Sequence, residues 1–156
     1  MSQASKILIG LSTANLCMLL GATIYESAVM APNYVRGTTA LKHIRAFFVA
    51  SNPAKYFRPF SAITQILLLI SVVFSFLINS SDARWYLLAS FAGLVITDII
   101  TFTVHYPRNR VLFVDQLDRP AGEYEKIARE WAAWNMVRIV LLVIAGLASF
   151  VALVKL

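Results

Sequence analysis

Apolar residues fill four long stretches of this chain, and polar residues gather in the segments between them. The first stretch runs from about Ser5 to Met30 and is closed by Pro32; the second covers Pro59 to Ile78. The third covers Arg84 to Tyr106, and the fourth opens at Trp131 and continues to about residue 155. Each holds on the order of 20 residues, the length a helix needs to cross the hydrocarbon of a bilayer. Between the first two stretches the period changes. Leu41, Ile44, Phe47 and Phe48 fall on one helical face, with Lys42 and Arg45 away from it, which predicts a short amphipathic helix at about 39–50. Such a helix either lies at the interface under the bundle or acts as a lid over a membrane pocket. Asn79-Ser80-Ser81-Asp82-Ala83 reads as a turn, and Glu123 to Arg129 begins a helix that runs on into the fourth stretch.

The pattern therefore predicts an all-α fold: an integral membrane four-helix bundle with a short amphipathic interfacial helix in the first loop. One transmembrane domain takes residues 1–156, with spans at about 5–30, 59–78, 84–106 and 131–155. Gly10, Ser12, Gly21 and Ala22 are small positions expected to let helix one pack closely.

Composition agrees. Hydrophobic residues make up 59% of the chain and charged residues 14%, against about 25% charged in soluble domains. A single cysteine, Cys17, excludes an internal disulfide and a CxxC redox pair, and is expected to be a packing residue. The formal net charge of +6 suggests nucleic acid only until the basic residues are placed, because they flank the apolar runs. Lys6, Arg84 and Lys155 lie on the side of the termini and the short second loop. Arg36, Lys42, Arg45, Lys55, Arg58, Arg108, Arg110, Arg119, Lys126 and Arg129 lie in the two long loops. The positive-inside rule then puts a multi-pass protein in the cell membrane with both long loops cytoplasmic and both termini outside. The first stretch is expected to be retained as a helix, because Glu26 stands just before the small residues that would imitate a signal-peptide cleavage site.

Candidate chemistry comes from the polar residues inside the spans. Arg138 lies about two turns into the fourth stretch, where an arginine facing lipid costs roughly 2.5–3.5 kcal/mol on insertion scales. It should face protein and needs a partner. Glu26, Gln65, Asp98 and Arg138 all fall roughly 6–12 Å from the same end of their helices at the helical rise per residue. Asp98, Thr101 and His105 share one face of helix three. Trp131, Asn135 and Arg138 share one of helix four, with Trp134 a turn before Arg138. Ionisable groups at this depth are candidates for a functional site. The structural reading is an ion pair, Glu26–Arg138 or Asp98–Arg138, that fixes helix order. With two acids and one arginine, one carboxyl group is left over for acid–base work. His43, His105, Glu26 and Asp98 are the only set that suggests a metal. They show no HExxH or ExxH spacing, so no metal and no cofactor is expected from them. Gly-rich phosphate loops, haem-attachment sites and Ser-His-Asp signatures are absent from the sequence.

Four short segments carry a resemblance: Gly21…Glu26…Pro32, Asn52-Pro53…Phe57-Arg58-Pro59, Thr101…Val104-His105-Tyr106-Pro107-Arg108-Asn109, and Trp131…Trp134-Asn135…Arg138. In this order and at these helix ends the chain resembles the small four-helix membrane family of the anthrone oxygenases. His105 stands where that family's pattern leads one to expect an apolar residue or an asparagine. The resemblance implies oxidation of an anthrone-like phenolic carbon to a quinone by O₂, with no bound metal or flavin. For such a reaction His105, Asp98 or Glu26 would take the proton. Arg138 and the Asn135 amide would hold the enolate oxygen, and Trp131 and Trp134 would stack on a flat substrate. Gln65, Thr101 and Asn109 complete the expected substrate site. The expected partners are the bilayer and a small hydrophobic substrate, with no nucleic acid. Two other functions fit the same residues: a non-catalytic membrane partner subunit, and a small proton-coupled transporter working as a homodimer.

Overall fold

Five helices form in a computed structural model that describes residues 3–77 and 82–155. Helix α1 is Gln3–Tyr34, α2 is Thr38–Ala50, α3 is Ala54–Leu77, α4 is Ala83–Val114 and α5 is Ala121–Val154. All but α2 are long and apolar enough to cross a membrane, so the chain is a multi-pass, all-α membrane protein. The four spans form a ring in which each packs against its sequence neighbours and α5 closes back on α1. Consecutive spans are antiparallel, so both long connections lie at one end of the bundle. The expected turn at Asn79–Ser81 lies outside the described residues.

Three of the spans are longer than the apolar pattern predicts, and in each case a proline marks the expected boundary. Helix α1 runs past Pro32 because a π-helical segment, Glu26–Met30, shifts the hydrogen-bond register just before it. Proline then sits in the first turn of the next α-helical segment, where its missing N–H costs nothing. Pro107 in α4 follows the same rule, after a π segment at Thr101–His105. Helix α3 starts at Ala54 rather than Pro59. Its first turn is supplied by Asn52, whose Oδ1 accepts from Ala54 N at 2.9 Å.

Helix α2 starts after Gly37, whose φ of +92° makes the sharp turn out of α1. Its buried face is narrower than expected. Leu41 and Ile44 are buried, but Phe47 is 54% exposed. Arg45 does not point away. Its guanidinium donates to the carbonyls of Val111, Leu112 and Asp115, groups that the end of α4 leaves without helical partners. Helix α2 is thereby fixed across the loop end of the bundle, on a core of Ala31, Tyr34, Leu112, Tyr124, Ala128 and Trp131.

Deeper layers are built differently. Leu16, Leu19, Leu68, Leu94, Leu142 and Ala145 form the middle of the bundle, and Ile9, Val72, Ala83, Leu87 and Ala152 the end bearing the termini. Hydrophobic burial drives helices together little in lipid, so close approach matters more. That approach is made by Gly93, where an added Cβ would lie 3.2 Å from Ala145 Cβ, and not by Gly10 or Gly21, which face open space. Buried Ser12, Thr23, Thr64, Ser71 and Thr97 each donate to their own helix's i−4 carbonyl, which satisfies them without a partner helix. Cys17, expected to pack inside, is exposed on the outer surface of α1.

Candidate functional site

The polar layer is real as a place: Glu26, Gln65, Asp98, Thr101, His105, Asn109, Trp131 and Arg138 all line one cavity of about 1540 Å³. It lies at the loop end of the bundle, beneath the α2–α3 corner. Aromatic side chains make much of its wall, among them Phe48, Phe57, Phe102, Tyr106 and Phe113. Phe102 is 61% exposed, and Val49, Arg58, Ala62 and Val114 are exposed as well, so the cavity opens along the seam between α3 and α4.

Local irregularity positions the site. The three π-helical segments of the chain's described residues are Glu26–Met30, Thr101–His105 and Arg110–Val114. Glu26 opens the first, and Thr101 and His105 bound the second. A π turn carries one extra residue and re-aims the side chains beyond it, which is why such turns recur at functional sites.

His105 is 1% exposed, and neither ring nitrogen has a hydrogen-bond partner among the described residues. Its ring meets Trp131 edge-to-face, with centroids 4.9 Å apart. Trp131 is held from two sides. Its Nε1 donates to Asn109 Oδ1 at 2.7 Å, and its ring packs edge-on against Tyr34 at 5.2 Å. An imidazole with free nitrogens, on a rigid aromatic support, is available to a molecule in the cavity as donor or acceptor.

Arg138 finds its partner on its own helix. Nη1 donates to Asn135 Oδ1 at 2.8 Å, while Nε has no partner among the described residues. Asn135 in turn donates to Ser27 Oγ at 2.7 Å and to the Thr23 carbonyl at 3.4 Å. The amide hydrogens of Asn135 are thus spent on α1, and Asn135 stands behind Arg138 instead of on the cavity wall. Neither expected ion pair forms: among the described residues no carboxylate lies within 4.0 Å of Arg138. Phe57 faces the guanidinium, its ring centre 6.0 Å away.

Asp98 belongs to the α3–α4 contact. Its Oδ2 accepts from Ser61 Oγ at 2.6 Å and from Gln65 Nε2. Ser61 was not expected in the site, although it lies one turn before Gln65 on the same face, and that spacing would have found it. Thr101 donates to the Thr97 carbonyl at 2.9 Å and offers the cavity an acceptor. Besides Asn135, two expected residues do not line the cavity. Trp134 is 40% exposed on the outside of α5 and is not among the cavity-lining residues. His43 is exposed on α2, away from the other members of the candidate metal set. Among the described residues no three His, Cys, Asp or Glu side chains gather as a metal site.

The arrangement offers a cavity with an aromatic wall, a buried proton acceptor, a buried cation and two carboxylates. The anthrone oxygenase family model matches residues 46–148, roughly two-thirds of the chain, and the matched stretch carries every cavity residue named above except Glu26. No curated protein and no solved structure matches the chain. A match of that extent, over a four-span bundle whose cavity unites the segments that carried the resemblance, places this chain in the anthrone oxygenase family.

Proposed function

We propose that this protein is a membrane oxygenase that takes a small, flat, phenolic substrate into the α3–α4 cavity and converts an activated methylene to a carbonyl with O₂. The observation that carries the reading is His105: a buried imidazole on the cavity wall whose two nitrogens have no partner among the described residues. The family membership supports the reaction class.

The chemistry needs few groups. His105 takes a proton from the carbon acid, a step for which a placed base contributes about 10²–10⁴-fold. Arg138 stabilises the enolate oxygen that forms, as a preorganised charge in a water-poor site. The resulting carbanion passes one electron to O₂, and superoxide and carbon radical combine as a peroxide anion. His105 returns its proton to that anion, and the hydroperoxide so formed loses water to leave the carbonyl. One methylene and one O₂ give one carbonyl and one water, with the substrate itself as the source of electrons. Asn135 keeps Arg138 aimed, Trp131 supports the imidazole and offers a face for stacking, and Gln65 and Ser61 hold Asp98. Glu26 is a second proton-exchanging group on the wall. The cavity end of the bundle, which bears ten of the fourteen lysine and arginine residues, faces the cytoplasm in this reading.

The test is oxidation of anthrone by the full chain in lipid nanodiscs under isotopically labelled O₂. Expected are O₂ uptake above the protein-free rate, one labelled oxygen in the product carbonyl, and loss of the excess rate in His105→Ala. A rate no higher than in empty nanodiscs defeats the oxygenase reading. Passage of unchanged solute across proteoliposomes would point to a carrier instead.

A further inference from the structure

The mouth of the cavity carries three arginines, and they differ in what they hold. All three nitrogens of Arg45 donate to backbone carbonyls at the end of α4. Arg110 is paired with Asp115 at 3.1 Å. Arg58, in the second turn of α3, has no carboxylate or carbonyl acceptor among the described residues. Its one hydrogen bond is from Nε to the Tyr106 hydroxyl at 3.2 Å. The same guanidinium lies over the Tyr106 ring, 5.6 Å from its centre. Tyr106 belongs to α4 and is steadied by Phe102, edge-to-face at 5.1 Å.

This is an unusual posture for an interfacial arginine. An arginine that only served topology would extend freely towards headgroups. Arg58 is instead drawn across the seam, stacked on an aromatic face and oriented by a hydrogen bond through Nε. Both terminal nitrogens of its planar fork stay unspent among the described residues, the edge that binds a carboxylate bidentately. Arg58 and Tyr106 both line the cavity. On α3, Ser61 follows Arg58 by one turn and Gln65 by two, about 4.5 and 10 Å of helix rise. A single rigid molecule of several fused rings spans from the fork of Arg58 to the layer of Asp98.

We propose that Arg58, positioned by Tyr106, is an anion subsite of the cavity, and that the substrate is amphiphilic: a flat aromatic body bearing an acidic substituent, a carboxylate or an ionised phenol, at the end away from the reacting carbon. The apolar body enters the α3–α4 seam and the anionic group remains at the mouth on Arg58. The substrate class rests on the function proposed above; the subsite does not, because it can be read by binding alone.

The experiment uses the full chain in phosphatidylcholine nanodiscs and two fluorescent ligands that cannot undergo the reaction, an anthracene carboxylate and the matching hydroxymethyl anthracene. The wild type should bind the acid roughly ten- to a hundredfold more tightly than the neutral analogue, the range of one charge-assisted bidentate contact. Arg58→Gln should erase that preference and leave the affinity for the neutral ligand unchanged, which also shows that the cavity is intact. Arg58→Lys should keep part of it, and Tyr106→Phe should weaken it while retaining the ring. Equal affinities in the wild type, a preference that survives Arg58→Gln, or no binding of either ligand would overturn the proposal. So would a preference that disappears when phosphatidylglycerol is added to the nanodisc, which would assign Arg58 to lipid headgroups. Acid preference without any oxidation of anthrone would leave the subsite standing and remove the oxygenase reading.

Discussion

The two ends of this bundle are made from the same four helices in the same solvent, yet they are built by opposite means. From the middle layer to the end bearing the termini the helices touch. Gly93 brings α4 against Ala145 of α5 in the middle, Thr13 and Ser149 join α1 to α5 through their hydroxyls at 2.7 Å nearer the termini, and Ser12 and Ser71 are satisfied within their own helices. At the loop end the helices stand apart around a cavity, π turns replace regular ones, and an imidazole and a guanidinium nitrogen are left without partners among the described residues. Buried polar atoms without partners are costly, by about 1–3 kcal/mol each. A fold that leaves them on the wall of a cavity holds groups ready for a ligand, and the tightly packed end supplies the stability that tolerates them.

The sharpest way to break this contrast is at Arg138. Arg138→Met keeps length and removes charge. In an enzyme the loss of an oxyanion-stabilising group should reduce turnover by about 10²–10³. Stability should fall only by the order of one hydrogen bond, about 1 kcal/mol, because Asn135 keeps Ser27 and no ion pair within 4.0 Å is broken. Oxygen uptake and thermal unfolding in detergent, measured on the same preparation, separate the two effects. A large fall in melting temperature with turnover intact would return Arg138 to a structural role.

In the packed layers the expectation is reversed. Gly93→Leu forces a side chain into a gap where even a Cβ meets Ala145 at 3.2 Å and the Leu141 carbonyl at 3.5 Å. Separating α4 from α5 should cost about 1–3 kcal/mol, as overpacking does. Activity per folded molecule should remain near that of the wild type, because His105 lies about three turns along α4 from Gly93 and Arg138 about two turns along α5 from Ala145. A loss of activity without a loss of stability would show that the two ends are coupled.

This contrast also explains what the sequence could and could not reveal. Four spans, the amphipathic helix, the gathering of Glu26, Gln65, Asp98 and Arg138 in one slab and the face that His105 shares with Asp98 were legible, because hydropathy and helical spacing report depth and face. Prolines 32, 59 and 107 misled the boundaries. A proline reads as a stop, but a π turn ahead of it or an asparagine cap before it lets the helix continue. Partners were harder still. Charge alone suggested that Arg138 would meet Glu26 or Asp98, whereas Asn135 takes it and Ser61 and Gln65 take Asp98. Periodicity places a residue on a face to within a sector, and a hydrogen bond is decided within a fraction of that sector. Trp134 failed for the same reason: it stands one turn from Arg138, but past the edge of the face that the cavity uses.

The two tryptophans of α5 give the finest test. Trp131→Phe keeps a ring beside His105 and removes only the Nε1 donor, leaving Asn109 Oδ1 unmatched. It should cost about 1 kcal/mol in stability, and it should lower turnover more than binding, since the imidazole loses a fixed support. Trp134→Ala changes a side chain of similar size only three positions away. Its ring is on the outer face, so stability should move within about 0.5 kcal/mol, and O₂ uptake with anthrone should match the wild type. Equal effects of the two substitutions on turnover would mean that the substrate does not lie against the inner face of α5. An inner effect with a silent outer one would place it in the cavity beside Trp131, where proximity in sequence alone made no distinction between the two rings.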